Sequence, residues 1–310
     1  MQLVSSHQVK GVLYACITAF LWGVLAVALK VSLQDVSPVD ITWFRFALAF
    51  SGMALYYYWK KPEYLRILRR PPLILVLASV CLGINYIGFI QGVHLTSPGI
   101  AQLFIQTGPV LLAVSGILFF REKMVFRQII GFLLVIGGLL LFYKEQGSFM
   151  INSIKTYQAG IRWILLGAVT WAIYSILLKI LVRQYPPMQL NLVIFGIPAL
   201  LYLPFVTFSG FSNLSFVDWL IMIFLGLNTL FAYGTLSLAI QYTEASKVSV
   251  ILILNPLLTF GIMGLVSLTN ASWITHEHYT ILGLAGALVV LSGAIMTILK
   301  PHTAGLELKT

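Results

Sequence analysis

The sequence predicts an all-α membrane protein, with ten transmembrane helices arranged as two inverted five-helix repeats. Three observations predict it. Hydrophobic residues make up 59% of the 310 residues and charged ones only 9%, at a mean hydropathy of +0.95. That balance belongs to a chain dissolved in lipid and not to a soluble globular domain. Apolar runs of about 20 residues, the length of helix that crosses the hydrocarbon, recur from end to end, and the residue pattern of the first half returns in order in the second.

The runs cover roughly 11–33, 40–59, 73–92, 97–120, 126–143, 160–182, 188–208, 216–241, 245–269 and 279–299. Connections are short and leave no room for a soluble domain. The longest, Lys144 to Ala159, separates the two expected units, residues 1–150 and 151–310. Lys10 and the Ala26-Val27-Ala28 triplet imitate a secretory signal, but the first run is longer than a signal core and the sixth repeats its pattern in mid-chain. The first run is therefore read as a retained helix.

Charge placement gives the orientation. With the N-terminus inside, thirteen Lys and Arg fall on inner connections, five of them between Lys60 and Arg70; only Lys144, Lys155 and Arg162 fall outside. Cytoplasmic loops carry the basic excess, so both termini are expected in the cytoplasm, at a bacterial inner membrane. The net charge of +10 is thus a topogenic signal with lipid headgroups as its partners, and nucleic acid is not expected. Cys16 and Cys81 lie inside apolar runs and the five histidines are scattered, so neither a disulfide framework nor a metal or other cofactor is expected.

Sliding the chain along itself aligns Trp22, Lys30 and Pro38 with Trp171, Lys179 and Pro187 at one offset. Asn85 in LGIN aligns with Asn228 in LGLN, Thr96 and Pro109 with Thr243 and Pro256, and Glu122, Gly131 and Gly138 with Glu277, Gly286 and Gly293. Five helices per unit is an odd number, so the units must insert in opposite orientations. Inverted repeats set a site near the bilayer midplane, at their interface.

The fourth run, Ser97 to Glu122, carries Pro109 at its middle with Gln102 and Gln106 on the proline's side; the ninth, within Ala245 to Glu277, answers with Ser249, Asn255 and Pro256. Backbone broken at membrane depth is tolerated where protein or a watery cavity satisfies the freed groups. Gln102, Gln106, Ser249 and Asn255 are therefore read as cavity-lining residues, with Pro109 and Pro256 as gating kinks. Asn85, Asn191 and Asn228 are further candidates, for which helix–helix hydrogen bonds are the plain alternative. Trp22, Tyr86, Trp171, Tyr174 and Tyr233 supply aromatic walls, packing or interfacial anchors. Lys30 and Arg45 lie near the outer ends of their runs and either snorkel to the headgroups or attract a substrate carboxylate. No Asp or Glu falls clearly inside a run: Asp40, Glu122, Asp218, Glu244 and Glu277 all sit at run ends. A proton-coupled cation pump that works through a buried carboxylate is disfavoured, and the glycines of the fifth and tenth runs read as scaffold or dimer contacts.

The stretch LWGVLAVALKVSLQDVSPVDITWFRFALA, with Trp22, Gly23, Lys30, Pro38 and Arg45, resembles the opening of the EamA-type permeases of the drug/metabolite transporter superfamily. HLTSPGIAQLFIQTGPVLLAVSGILFFREKMVFRQIIGFLLVIGGLLL resembles their fourth and fifth helices. In the second unit Ile194 stands where the arginine would fall, and Glu277 lies beyond an insertion. The resemblance implies a permease that exports amino acids and related zwitterionic or neutral compounds by alternating access; the sequence is compatible with a monomer or a homodimer. The alternatives are nucleotide-like cofactors of the S-adenosylmethionine type, organic anions, or a membrane scaffold or receptor that moves nothing. An enzyme would need convergent catalytic groups at membrane depth, and the sequence offers none.

Overall fold

The computed structural model describes residues 6–111, 126–149, 154–242, 248, 251–252, 254–269, 273–274 and 280–298. Glu122, Thr243, Glu244, Ser249, His276, Glu277 and His278 lie outside the described residues.

Among the described residues, every regular element is a helix. The first five are α1 (Ser6–Ser32), α2 (Pro38–Lys60), α3 (Leu73–Leu95), α4 (Pro98–Phe104) and α5 (Phe126–Phe149). The second five are α6 (Ile154–Leu181), α7 (Pro187–Tyr202), α8 (Phe216–Tyr242), α9 (Asn255–Leu268) and α10 (Ile281–Ile298). Short 3₁₀ turns at Pro62–Leu68 and Leu203–Phe205 and one helical turn at Ser209–Ser212 fill the connections. Among the described residues, five segments are long and apolar enough to cross a bilayer: Val9–Ser32, Leu73–Leu95, Ile154–Leu181, Pro187–Phe205 and Phe216–Tyr242.

Local chemistry sets the ends. Ser37 caps α2 by accepting from the Asp40 amide, and Ser97 caps α4 from the Ile100 amide. In each case proline follows at the first helical position, where its missing N–H costs nothing. Asp40, at the mouth of α2, is fully enclosed and accepts from both the amide and the hydroxyl of Thr207 at 3.0 and 2.9 Å. The carboxylate thus ties a helix end to the connection between α7 and α8 and does not enter the helix bundle.

The packing respects an exchange of the two halves. α1 packs on α8 as α6 packs on α3; α2 meets α8 as α7 meets α3; and α2·α7, α4·α9 and α5·α10 pair each element with its own counterpart. Close approach needs small residues at two of these seams. A Cβ on Gly88 would stand 2.7 Å from the Trp163 carbonyl across α3·α6, and one on Gly138 would stand 2.8 Å from the Gly286 carbonyl across α5·α10. The glycines expected to serve scaffold or dimer contacts therefore pack α5 against α10 inside the chain. Leu73, Leu268 and Ile281 are more than four-fifths exposed on the outer face, a surface that water would not tolerate over a wide area and lipid does.

Candidate functional site

The cavity sits where the two broken spans meet. Pro109 has no N–H to give the carbonyl four residues back, at Ile105. Helix α4 accordingly stops at Phe104, Ile105 and Gln106 form a turn, and helical residues resume over 107–111. Short-range bonds close the break, from the Gln106 amide to the Leu103 carbonyl at 3.2 Å and from the Gly108 amide to the Ile105 carbonyl at 2.9 Å. The second half repeats the device. Leu254 lies in a turn, its amide reaching the Ile251 carbonyl at 3.1 Å, and α9 starts afresh at Asn255 with Pro256 in its first turn.

A cavity with about 80 Å³ of room for water lies beside these breaks, lined by Trp22, Leu25, Arg45, Asn85, Tyr86, Phe89, Gln102, Ile105, Gln106, Pro109, Trp171, Tyr233, Leu252 and Asn255. At ~10–15 Å³ per water that is room for about six waters, or for a small polar solute. Its walls are aromatic. Tyr233 lies 5.4 Å from Trp22 and 5.7 Å from Tyr86, centroid to centroid.

Arg45 supplies the charge. It is 2% exposed, its Nε donates to the Thr229 hydroxyl at 3.0 Å, and its guanidinium carbon stands 4.4 Å from the centre of the Tyr86 ring. Arginine stays protonated in proteins, and among the described residues no Asp or Glu lines the cavity. The site therefore presents one guanidinium without a facing carboxylate. Asn255 adds a polar group whose side-chain carbonyl has no hydrogen-bond partner among the described residues.

The amides hold the frame as well as line it. Gln102 donates to the Trp22 carbonyl at 2.7 Å, Asn228 to the Leu21 carbonyl at 2.7 Å, and the Thr259 hydroxyl to the Gly23 carbonyl at 2.8 Å. Three consecutive carbonyls of α1 are thus clamped from α4, α8 and α9. On the other side Asn85 donates to the Gly167 carbonyl of α6 at 2.9 Å. Relative to the equivalent tryptophans, Asn228 bonds one residue before Trp22 and Asn85 four residues before Trp171. The two halves are offset there by about one helical turn.

Of the residues picked from sequence, Trp22, Asn85, Tyr86, Gln102, Gln106, Trp171, Tyr233 and Asn255 line the cavity, together with Pro109 and Arg45. Tyr174 stands behind the wall, 6.2 Å from Tyr233. Asn191 bridges α7 to α8 through the Ser237 hydroxyl at 3.3 Å, and Asn228 reaches α1, both away from the lining. Pro256 lies buried just behind Asn255. Lys30 lies elsewhere: its Nζ caps the C-terminus of α3, donating to the carbonyls of Val93, His94 and Thr96 at 3.1, 3.3 and 2.9 Å, a favourable place for a cation. Sequence reasoning missed Leu25, Phe89, Ile105, Leu252 and the Arg45 partner Thr229. Helical spacing could have found Leu25 and Phe89, three residues beyond Trp22 and Tyr86.

Residues 9–144 and 158–299 each match the EamA-like transporter family. The "Uncharacterized inner membrane transporter YhbE" of Escherichia coli strain K12 is 30% identical over 288 residues, covering 92% of this chain and 90% of the relative. An "Uncharacterized transporter" of Haemophilus influenzae is 30% identical over 298 residues, covering 94% and 97%. A solved crystal structure superposes with a TM-score of 0.65 at 18% identity over 94% of this chain and 97% of that one, a likeness of fold alone.

Proposed function

The chain belongs to the EamA-like transporter family, and from that premise we propose that it exports small zwitterionic metabolites, amino acids foremost, by alternating access. An integral membrane transporter needs a polar site enclosed by apolar helices. The observation that carries this reading is the cavity at the paired proline breaks, where Arg45 faces no carboxylate among the described residues. A substrate carboxylate pairs with the Arg45 guanidinium, a charge-assisted geometry suited to that group. The unpaired Asn255 carbonyl accepts from the ammonium, and the rings of Trp22, Trp171, Tyr86 and Tyr233 flank the side chain.

In this reading the halves, residues 1–150 and 151–310, are inverted repeats of five spans each. The spans broken at Pro109 and Pro256 bend in turn to open one side and close the other. The offset of Asn85 against Asn228 supports it, since alternating access requires equivalent contacts to stand in different registers in the two halves. A second reading, transport of organic anions or nucleotide-like cofactors, is favoured by the same lone guanidinium.

Purified protein in liposomes decides between cargo classes and a non-transporting scaffold. The expected result is counterflow of labelled amino acids, abolished by Gln106→Leu with membrane insertion intact. Flux of organic anions alone transfers the proposal to the second reading, and no flux of any solute overturns both.

A further inference from the structure

A second, larger hollow lies at the other end of the bundle, away from the central cavity. It is a lateral groove of about 1070 Å³ between the end of α2, the connection from α6 to α7, and the last half of α8. Its two ends differ in chemistry. The rim carries the exposed cations Lys61 and Arg183, with Tyr57 and Tyr64 beside the first and Tyr185 beside the second. Lys61 Nζ rests 5.2 Å above the Tyr64 ring. No Asp or Glu lines the groove among the described residues. The trough below is mostly apolar, built from Met53, Leu230, Phe231 and Leu238, with Thr235 and Gln241 as its polar members on α8.

Its floor is opened by glycine. A Cβ on Gly52 would meet only Leu230 Cδ2, at 3.7 Å, and one on Gly234 only Met188 Cε, at 3.6 Å. These are ordinary contacts, unlike the 2.7 and 2.8 Å approaches that demand glycine at the α3·α6 and α5·α10 seams. Helix packing therefore does not require glycine here, and Gly is less favourable than Ala inside a helix. What the two glycines leave is space running from a cationic, phenolic rim into a greasy trough.

We propose that this groove binds one anionic phospholipid of the adjacent leaflet, the headgroup phosphate between Lys61 and Arg183 and one acyl chain over Gly52 and Gly234. By the placement of basic residues that leaflet is the cytoplasmic one. Tyrosine at the rim suits the headgroup level, where an amphipathic ring keeps one edge wet. At about 1070 Å³ the groove stands at the upper end of the ~300–1,000 Å³ range of small-molecule pockets, with room for a headgroup and an acyl chain.

Native mass spectrometry of the detergent-purified full chain, given equimolar phosphatidylglycerol and phosphatidylcholine, tests it. The wild type retains one phosphatidylglycerol in preference to phosphatidylcholine. Lys61→Gln and Arg183→Gln each lower that preference about five-fold, as expected for one basic residue at an anionic surface. Gly52→Leu fills the trough and loses both lipids while eluting as a single species; Gly234→Leu replaces it should that variant aggregate. Equal retention of the two lipids by the wild type, undiminished preference in the double Lys61→Gln/Arg183→Gln variant, or full retention after the trough is filled would overturn the proposal. None of these readouts depends on what the central cavity carries.

Discussion

Arg45 is held by both halves at equivalent positions. Aligning Asn85 with Asn228 aligns Tyr86 with Thr229, and these two residues contact the guanidinium from opposite units. The residue that would balance it is Ile194, so a symmetric frame encloses one off-symmetry charge. Removing a partner from a buried charged donor costs about 1–3 kcal/mol. Thr229→Val is therefore expected to lower the melting temperature and raise the KM for transport, both read on the purified protein. Arg45→Gln is expected to weaken carboxylate substrates by about ten- to a hundred-fold in KM, the worth of a charge-assisted hydrogen bond, while the protein still inserts. An unchanged KM would remove Arg45 from the binding groups. The sequence showed that Asn191, Asn228 and Lys30 were polar at membrane depth, but not what they face. Their partners lie 46, 207 and 63 residues away, at Ser237, Leu21 and Val93, and spacing along one helix carries no information about such partners. Gln102 and Gln106 were legible because they lie one turn apart beside a proline, a pattern contained within one element.

At the scale of elements, proline was legible as a break but not where the break falls. The expected kink at Pro109 appears three to four residues earlier, at Ile105 and Gln106, because the group deprived of its bond is the carbonyl four residues back. Pro109→Ala restores an N–H that can reach the Ile105 carbonyl and lifts the bar to a helix continuous through residues 105 and 106. The expected outcome is a protein that melts no lower than wild type and transports more slowly, measured by thermal unfolding and initial uptake on one preparation. Wild-type flux would show that bending at this span has no part in the cycle. Helix ends drifted for a related reason. α3 runs to Leu95 and α6 begins at Ile154, beyond the expected 73–92 and 160–182, since helices continue past the apolar run until a cap or proline stops them.

For the whole molecule, the charge distribution that gives orientation has a direct check. Position 61 is expected to react with a membrane-impermeant maleimide from the cytoplasmic face, and position 155 from the outer face, when each carries a single cysteine and Cys16 and Cys81 are serine. Labelling of both from one face would contradict the inverted arrangement. The duplicated pattern was readable because Trp22, Lys30 and Pro38 recur as a set. The packing of α1 on α8 as α6 on α3 was not, since it depends on contacts between halves. That exchange-related packing closes around the hollow at the two breaks. The most direct measurement replaces Gln106 by cysteine in the same cysteine-free background and exposes right-side-out and inside-out vesicles to the maleimide. Labelling from both faces, slowed in each case by a transported solute, is the predicted result. A thiol at position 106 that reacts from neither face would mean that the broken spans pack dry, and would contradict the transport mechanism.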